Sequence, residues 1–294
     1  MQIDLYYVIV TAALLASIYG LLAIGISIIW SSLGLINMAH GLIFALAGYG
    51  AWAAAQYVSA YGPVVLVAGI IAGALVGMLI GVLAFLPLYD KPNYVLRSLI
   101  ATLAISLLGQ QFMLAAFGPR SRPLPPVFGR ASFHFGTAVV SAGQVGAIVT
   151  SWVVLLLIAF WAKHSRRGLE IRAMMRNPEG AALVGIGLRS TAMAVMAVTG
   201  GLAGLAAVLL SQTYFVSPFS GLNPLLKGMI VALAGGLGSI PGAIIAAVLV
   251  GLIEALTAVS IGGQFVLITQ FLFIIIVLLI RPRGIAGIIE TVRE

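Results

Sequence analysis

No cysteine occurs among the 294 residues, which excludes disulfide cross-links, thiolate metal sites and cysteine nucleophiles. Charge is almost as scarce. Only 7% of the residues are Asp, Glu, Lys or Arg, where a soluble domain of this size carries about 25%. Such a chain cannot cover a water-facing surface, so soluble enzymes are excluded. Acids are scarcer than bases, 7 against 15, for a formal charge of +8. The bases do not form a nucleic-acid-binding face; they sit in short clusters between long apolar runs, as in the cytoplasmic loops of membrane proteins. His40, His134 and His164 are too scattered to suggest a metal site. Catalytic signatures are missing as well: there is no P-loop, no Gly-x-Ser-x-Gly elbow, no His-Glu-x-x-His helix and no pair of intramembrane carboxylates. Neither an enzyme nor a cofactor of its own is expected.

What remains is apolar: 62% of the residues, with a mean hydropathy of +1.18. A membrane helix needs about 20 mostly apolar residues. Candidates lie near 5–29, 41–58, 63–88, 97–117, 138–162, 190–212, 225–239, 240–258 and 262–280. The expected fold is all-α, a polytopic helical bundle of eight or nine spans forming one domain over 1–294. The count turns on 225–258, divided by Gly235-Gly236-Leu237-Gly238-Ser239-Ile240-Pro241-Gly242; it reads as two short spans or one broken span. The start at Met1-Gln2-Ile3-Asp4 lacks a positive n-region, so the first apolar run reads as a retained span. Lys91 and Arg97, the basic loop 163–189, and Arg281, Arg283 and Arg293 all fall inside if nine spans cross with the N-terminus outside. Arg120, Arg122 and Arg130 then face outward, against the rule.

His40-Gly-Leu-Ile-Phe-Ala-Leu-Ala-Gly48 lines up with Lys227-Gly-Met-Ile-Val-Ala-Leu-Ala-Gly235. In a nine-span arrangement the two copies run in opposite directions, as in the inverted repeats of many transporters. Asn37 and His40 sit where the first two spans meet, as helix caps or as pathway groups; the cap is the stronger reading for Asn37. Lys227 is expected to snorkel to the interface. Glu254, the one acid well inside a span, is either a functional group or a carboxylate bonded to a neighbouring helix. Gly69, Gly73, Gly77 and Gly81 form a small-residue packing stripe. The run containing Gly235, Gly236, Gly238, Ser239 and Pro241 is expected to expose backbone groups to a pathway. In loop 163–189, Leu169, Ala173 and Met174 lie at helical spacing opposite a basic side. The loop reads as a plain connector or as an amphipathic helix docking on a cytoplasmic partner, closed by Gly185 and Gly187.

Several stretches, in order along the chain, resemble one family. Gly34-Leu-Ile-Asn-Met-Ala-His-Gly41, Leu88-Tyr-Asp-Lys-Pro92, Ser165-Arg-Arg-Gly168 with Arg172-Ala-Met, Asn177 and Leu183-Val-Gly185-Ile, Gly235-Gly-Leu-Gly-Ser-Ile-Pro-Gly242 and Arg281-Pro-Arg-Gly-Ile-Ala-Gly287 are similar to motifs of the branched-chain amino acid permeases of bacterial ABC importers. The resemblance runs from about Tyr19 to Gly287. It departs at Asn177-Pro178-Glu179, where the loop helix is expected to break or restart. It departs again at the short Arg120-Ser-Arg-Pro-Leu-Pro-Pro126.

The resemblance implies an inner-membrane permease subunit with a cytoplasmic C-terminus, carrying branched-chain amino acids or related small polar acids and amides. Its implied partners are a homologous second permease, two cytoplasmic ABC ATPases that hydrolyse the ATP, and an extracytoplasmic substrate-binding protein; membrane lipid surrounds it. Arg166, Arg167, Gly168, Arg172, Arg176 and Gly185 are the implied ATPase-coupling residues. Arg120, Arg122 and Arg130 are candidates for docking the binding protein. A secondary transporter of a small polar solute is the alternative.

Overall fold

The computed structural model describes residues 5–89, 91–136 and 138–287. Eleven helices account for most of them: α1 (Leu5–Leu33), α2 (His40–Tyr57), α3 (Gly62–Ile80), α4 (Tyr94–Phe117), α5 (Ala142–His164), α6 (Arg166–Arg176), α7 (Pro178–Leu183), α8 (Leu188–Leu210), α9 (Leu222–Gly235), α10 (Ile240–Ser260) and α11 (Val266–Ile280). Among the described residues seven helices are long and apolar enough to cross a membrane. α2 and α9 are the remaining two of the nine that run along the bundle. α2 is rich in glycine and alanine and carries His40 and Gln56, which lowers its hydropathy, whereas α9 is apolar but short. α9, at 14 residues, is about 21 Å long and cannot cross a hydrocarbon layer of about 30 Å alone.

Contacts between loops sort the helix ends into two sets. At one end, Ile285 and Ala286 donate their N–H groups to the carbonyls of Ala234 and Gly235, Gly238 packs on Ser31, and Leu33, Phe85, Tyr94 and Leu188 enclose one cavity. This end holds Lys91, the α5–α8 connection and the 281–287 tail. At the other, Arg122 pairs with Val216 in an antiparallel bridge, and Val127 N–H donates to Gln212 Oε1 at 2.8 Å. Nine helices therefore alternate in direction, with α1 starting at the second end and α11 finishing at the first. α9 and α10 run in opposite directions, so 225–258 is a turn between two antiparallel helices.

The halves are related by an inverted repeat. α1 packs chiefly on α10 and α8 chiefly on α3, while α2 lies against α3 and α8 as α9 lies against α10 and α1. Equivalent glycines make equivalent approaches. A Cβ on Gly73 would strike the Gly200 carbonyl, and one on Gly251 would strike the Ala12 carbonyl. Pro63 and Pro241 both occupy the first turn of their helices, where proline's missing N–H costs nothing. The repeat read at His40–Gly48 and Lys227–Gly235 thus extends to α1/α8 and α3/α10.

Two boundaries differ from the sequence reading. The span placed at 138–162 starts later, because Ala138–Ser141 pairs antiparallel with Ser132–Phe135 as a hairpin. Ser141 then caps α5 in a reciprocal capping box with Gln144. The α3 stripe continues into a π turn over Gly81–Phe85, closed by Leu86 N–H to the Gly81 carbonyl at 3.0 Å.

Candidate functional site

The α5–α8 connection folds into two short helices. Ser165 starts α6 by accepting from Gly168 N–H at 2.9 Å. Gly168 sits so close to the last carbonyls of α5 that a Cβ would strike the Trp161 and Ala162 oxygens. Arg172 Nη2 donates to the Lys163 carbonyl at 2.7 Å, and Arg167 pairs with Glu170 at 2.7 Å. Arg166 is exposed; the side chain of Arg176 lies outside what the structure describes. The helix breaks where expected. Asn177 is extended, and its Oδ1 accepts from Gly180 N–H at 2.8 Å to cap α7. Gly185 ends α7 with a φ of +85°, which glycine adopts without strain. The apolar face differs from the sequence reading. Ile171 and Met174 are buried against the bundle, whereas Leu169 is 60% exposed, with Leu183 at 89% and Val184 at 77%. The loop covers its own bundle with Ile171 and Met174 and leaves Leu169, Leu183 and Val184 exposed.

The pathway candidates scatter. Asn37 Oδ1 accepts from Ala39 N–H at 2.9 Å, so it satisfies one freed backbone group just ahead of α2. Ala39 holds the capping position, with no side-chain cap. His40, the first residue of α2, is fully buried, its imidazole packed on Gly25 of α1. Neither of its ring nitrogens has a hydrogen-bond partner among the described residues, nor does Asn37 Nδ2.

The glycine run differs from expectation. Gly235 packs on Gly242, Gly236 (φ +97°) lies against the backbone of Arg283 and Gly287, and Gly238 takes φ +86°. Ser239 caps α10 by accepting from Gly242 N–H at 3.1 Å, and Pro241 occupies its first turn. The backbone carbonyls expected to face a pathway are taken by the tail, because Ala234 and Gly235 accept from Ile285 and Ala286.

Glu254 and Lys227 belong to one network. Lys227 Nζ donates to Glu254 Oε1 at 2.6 Å and to Tyr19 Oη at 3.0 Å, and Gln270 Nε2 donates to Glu254 Oε2 at 2.8 Å. Lys227 therefore does not snorkel; a buried carboxylate a helix away holds it inside. Four helices, α1, α9, α10 and α11, meet at this pair. The sequence hint was present in two lone opposite charges within apolar helices, but their pairing needed the fold.

At the opposite end, Arg122 is folded inward. It donates from Nη2 to the Phe117 carbonyl at 3.2 Å and stacks over Trp52 at 4.2 Å, so its guanidinium is already engaged within the chain. Arg120 and Arg130 are exposed.

The comparisons with known proteins agree with this architecture. Residues 8–280 match the family model of the branched-chain amino acid transport system/permease component. The chain is 29% identical to the high-affinity branched-chain amino acid transport system permease protein LivH of Escherichia coli (strain K12), over 93% of this chain and 92% of that protein. It is 30% identical to the probable branched-chain amino acid transport permease protein LivH of Methanocaldococcus jannaschii, over 94% and 91%. In fold it is similar to PsaBC from Streptococcus pneumoniae, solved in complex with Fab, at a TM-score of 0.54 and 15% identity over 95% of this chain and 94% of that one. Family match and a bundle of long apolar helices together make this a multi-pass membrane protein belonging to the branched-chain amino acid transport system permease family.

Proposed function

We propose that the chain is the inner-membrane permease subunit of an ATP-driven ABC importer for branched-chain amino acids. A homologous second permease, two cytoplasmic ATPases and an extracytoplasmic binding protein complete the importer, and the ATPases alone hydrolyse ATP. The 1–294 chain acts as one permease domain. The end carrying α6, α7 and the 281–287 tail is cytoplasmic, since it gathers Lys91, Arg97, Arg166, Arg172 and Arg189. The observation that carries the reading is the exposure of Leu169, Leu183 and Val184. They lie on the connection between α5 and α8, beyond the spans, where lipid does not cover them. An ATPase groove taking these side chains would transmit its closure to α5 and α8 directly.

Exposed Arg120 and Arg130 at the other end would meet an acidic lobe of the binding protein and speed its encounter. A secondary transporter fits less well, because the intramembrane acid Glu254 is already paired with Lys227.

Arg172 anchors α6 to α5, so charge reversal there disturbs the loop itself. Leu183→Asp tests docking more directly, because an exposed side chain can change without unfolding its helix. In the reconstituted importer it is expected to cut substrate-stimulated ATP hydrolysis and uptake at least tenfold, a fair expectation for a docking anchor. Full stimulated hydrolysis in that variant would remove these side chains as the docking element.

A further inference from the structure

A cavity of about 320 Å³ opens at the basic end between the last turn of α1, the π turn of α3, the start of α4 and the start of α8. Leu33, Phe85, Leu86 and Leu188 make its walls apolar, and Arg189 and Ser190 line it as well. Tyr89 and Tyr94 line it together, edge to face with ring centroids 5.4 Å apart. The π turn adds a residue to the last turn of α3 just before Leu86, and π turns recur where helices are shaped for a ligand.

Three features narrow the occupant. First, the depth is that of a membrane interface: four spans begin or end here, and tyrosines favour this level. Second, the apolar walls continue onto surfaces facing the bilayer, since Leu83 on the α3 side and Leu96 on α4 are both more than half exposed. A chain of methylenes can follow them, whereas a small soluble anion would be set among leucines. Third, the polar groups are available. Arg189 makes no ion pair or hydrogen bond among the described residues. The side chain of Tyr94 lines the cavity, and its hydroxyl faces that of Ser98, one turn further along α4. Lys91 and Arg97 stand on either side of Tyr94 in the chain, and Arg167 donates from Nη1 to Ser190 Oγ at 3.4 Å; Glu170 is committed to Arg167, and Asp90 lies outside the described residues.

We propose that this cavity holds one anionic phospholipid, its phosphate on Arg189 and its acyl chains along the Leu33–Phe85 walls. The site needs neither the substrate nor the coupling assignment above. It ties the 86–94 loop to Gly187 and Leu188, where the cytoplasmic connection re-enters the bundle.

Native mass spectrometry of the full-length protein in neutral detergent tests this, with phosphatidylglycerol and phosphatidylcholine offered at equal concentration. One phosphatidylglycerol is expected to be retained in preference to phosphatidylcholine. Arg189→Gln should lower that retention about tenfold, the loss of one charge-assisted hydrogen bond, and Arg189→Lys should keep most of it. Leu86→Trp, which fills the apolar end and leaves the charge, should lower it too. Lys163→Gln, a basic residue of the same end away from the cavity, should leave it unchanged. Unaltered retention in Arg189→Gln, equal retention of phosphatidylcholine, or displacement by soluble glycerol phosphate would each overturn the proposal, the last by assigning the arginine to a free phosphate.

Discussion

Lys227 and Glu254 illustrate what a single residue can do in an apolar chain. A charge in the bilayer is costly alone and tolerable when paired. Here each ion has a partner at 2.6 Å and a second hydrogen bond, from Lys227 to Tyr19 and from Gln270 to Glu254. Glu254→Gln keeps the shape and removes the countercharge, leaving the ammonium buried. We expect a loss of about 3 kcal/mol, read as a lower unfolding temperature in detergent, and recovery of much of it in the double variant Lys227→Met/Glu254→Leu. An unchanged unfolding temperature in the single variant would mean the pair carries no stability. Both residues were visible in the sequence as isolated charges in apolar runs. Their partnership was not, because it joins positions 27 apart through packing that no local pattern encodes. The contact of Arg122 is illegible for the same reason: it sits in a loop, and its partner Trp52 lies on α2.

Helices were legible where one physical cause dominates. Nine apolar runs are legible, each coinciding with a helix of the bundle, seven of them long and apolar enough to cross, and proline at 178 marks the restart of the loop helix. Elements whose form depends on neighbours were harder to read. The hairpin at Ser132–Ser141 has strands of only four residues, and its apolar second strand runs without a break into α5, so it is read as part of that span. The glycine run promised exposed backbone, yet the tail that seals it comes from 45 or more residues later in the chain and could not be foreseen. The glycine stripe of α3 was read as packing, and α8 is the helix that uses it: Gly69, Gly73 and Gly77 face Gly204, Gly200 and the Met196 carbonyl. Gly73→Val puts branched carbon where the Gly200 backbone lies, so α3 and α8 must separate along their length. We expect little folded protein in detergent-solubilised membranes, measured as monodisperse yield on size exclusion, whereas Gly34→Ala, at a position with open space around it, should lower yield only modestly through its positive φ. Comparable yields from both would show that close approach is not what holds this pair. Asn177→Ala acts on a smaller element. Losing the cap should cost α7 about 1 kcal/mol, seen as faster amide exchange over 179–183 with α5 and α8 unaffected.

At the scale of the whole molecule, charge distribution and inverted repeat make one joint statement about topology. The repeat requires an odd number of crossings between its halves, and the alternation of nine helices supplies it. The loop after α10 must then lie at the same end as the hairpin and opposite α7. Arg120 and Arg130 sit at that hairpin end and oppose the charge rule, while the larger basic group at the other end favours it. A chain without native cysteine allows each loop to be read separately. Single cysteines at Ser132, in the hairpin, and at Gly263, between α10 and α11, should react with a membrane-impermeant thiol reagent in intact cells. One at Leu183, 89% exposed on α7, should react only after the membrane is opened. All three positions are exposed in the fold, and expression without the ATPase subunits leaves Leu183 uncovered, so silence reports sidedness rather than burial. Labelling at Ser132 with none at Gly263 would mean that 225–258 crosses once, which breaks the antiparallel α9–α10 pair and the repeat with it. Labelling at Leu183 alone would keep the fold and invert it in the membrane, placing Leu169, Leu183 and Val184 on the side where no ATPase can reach them.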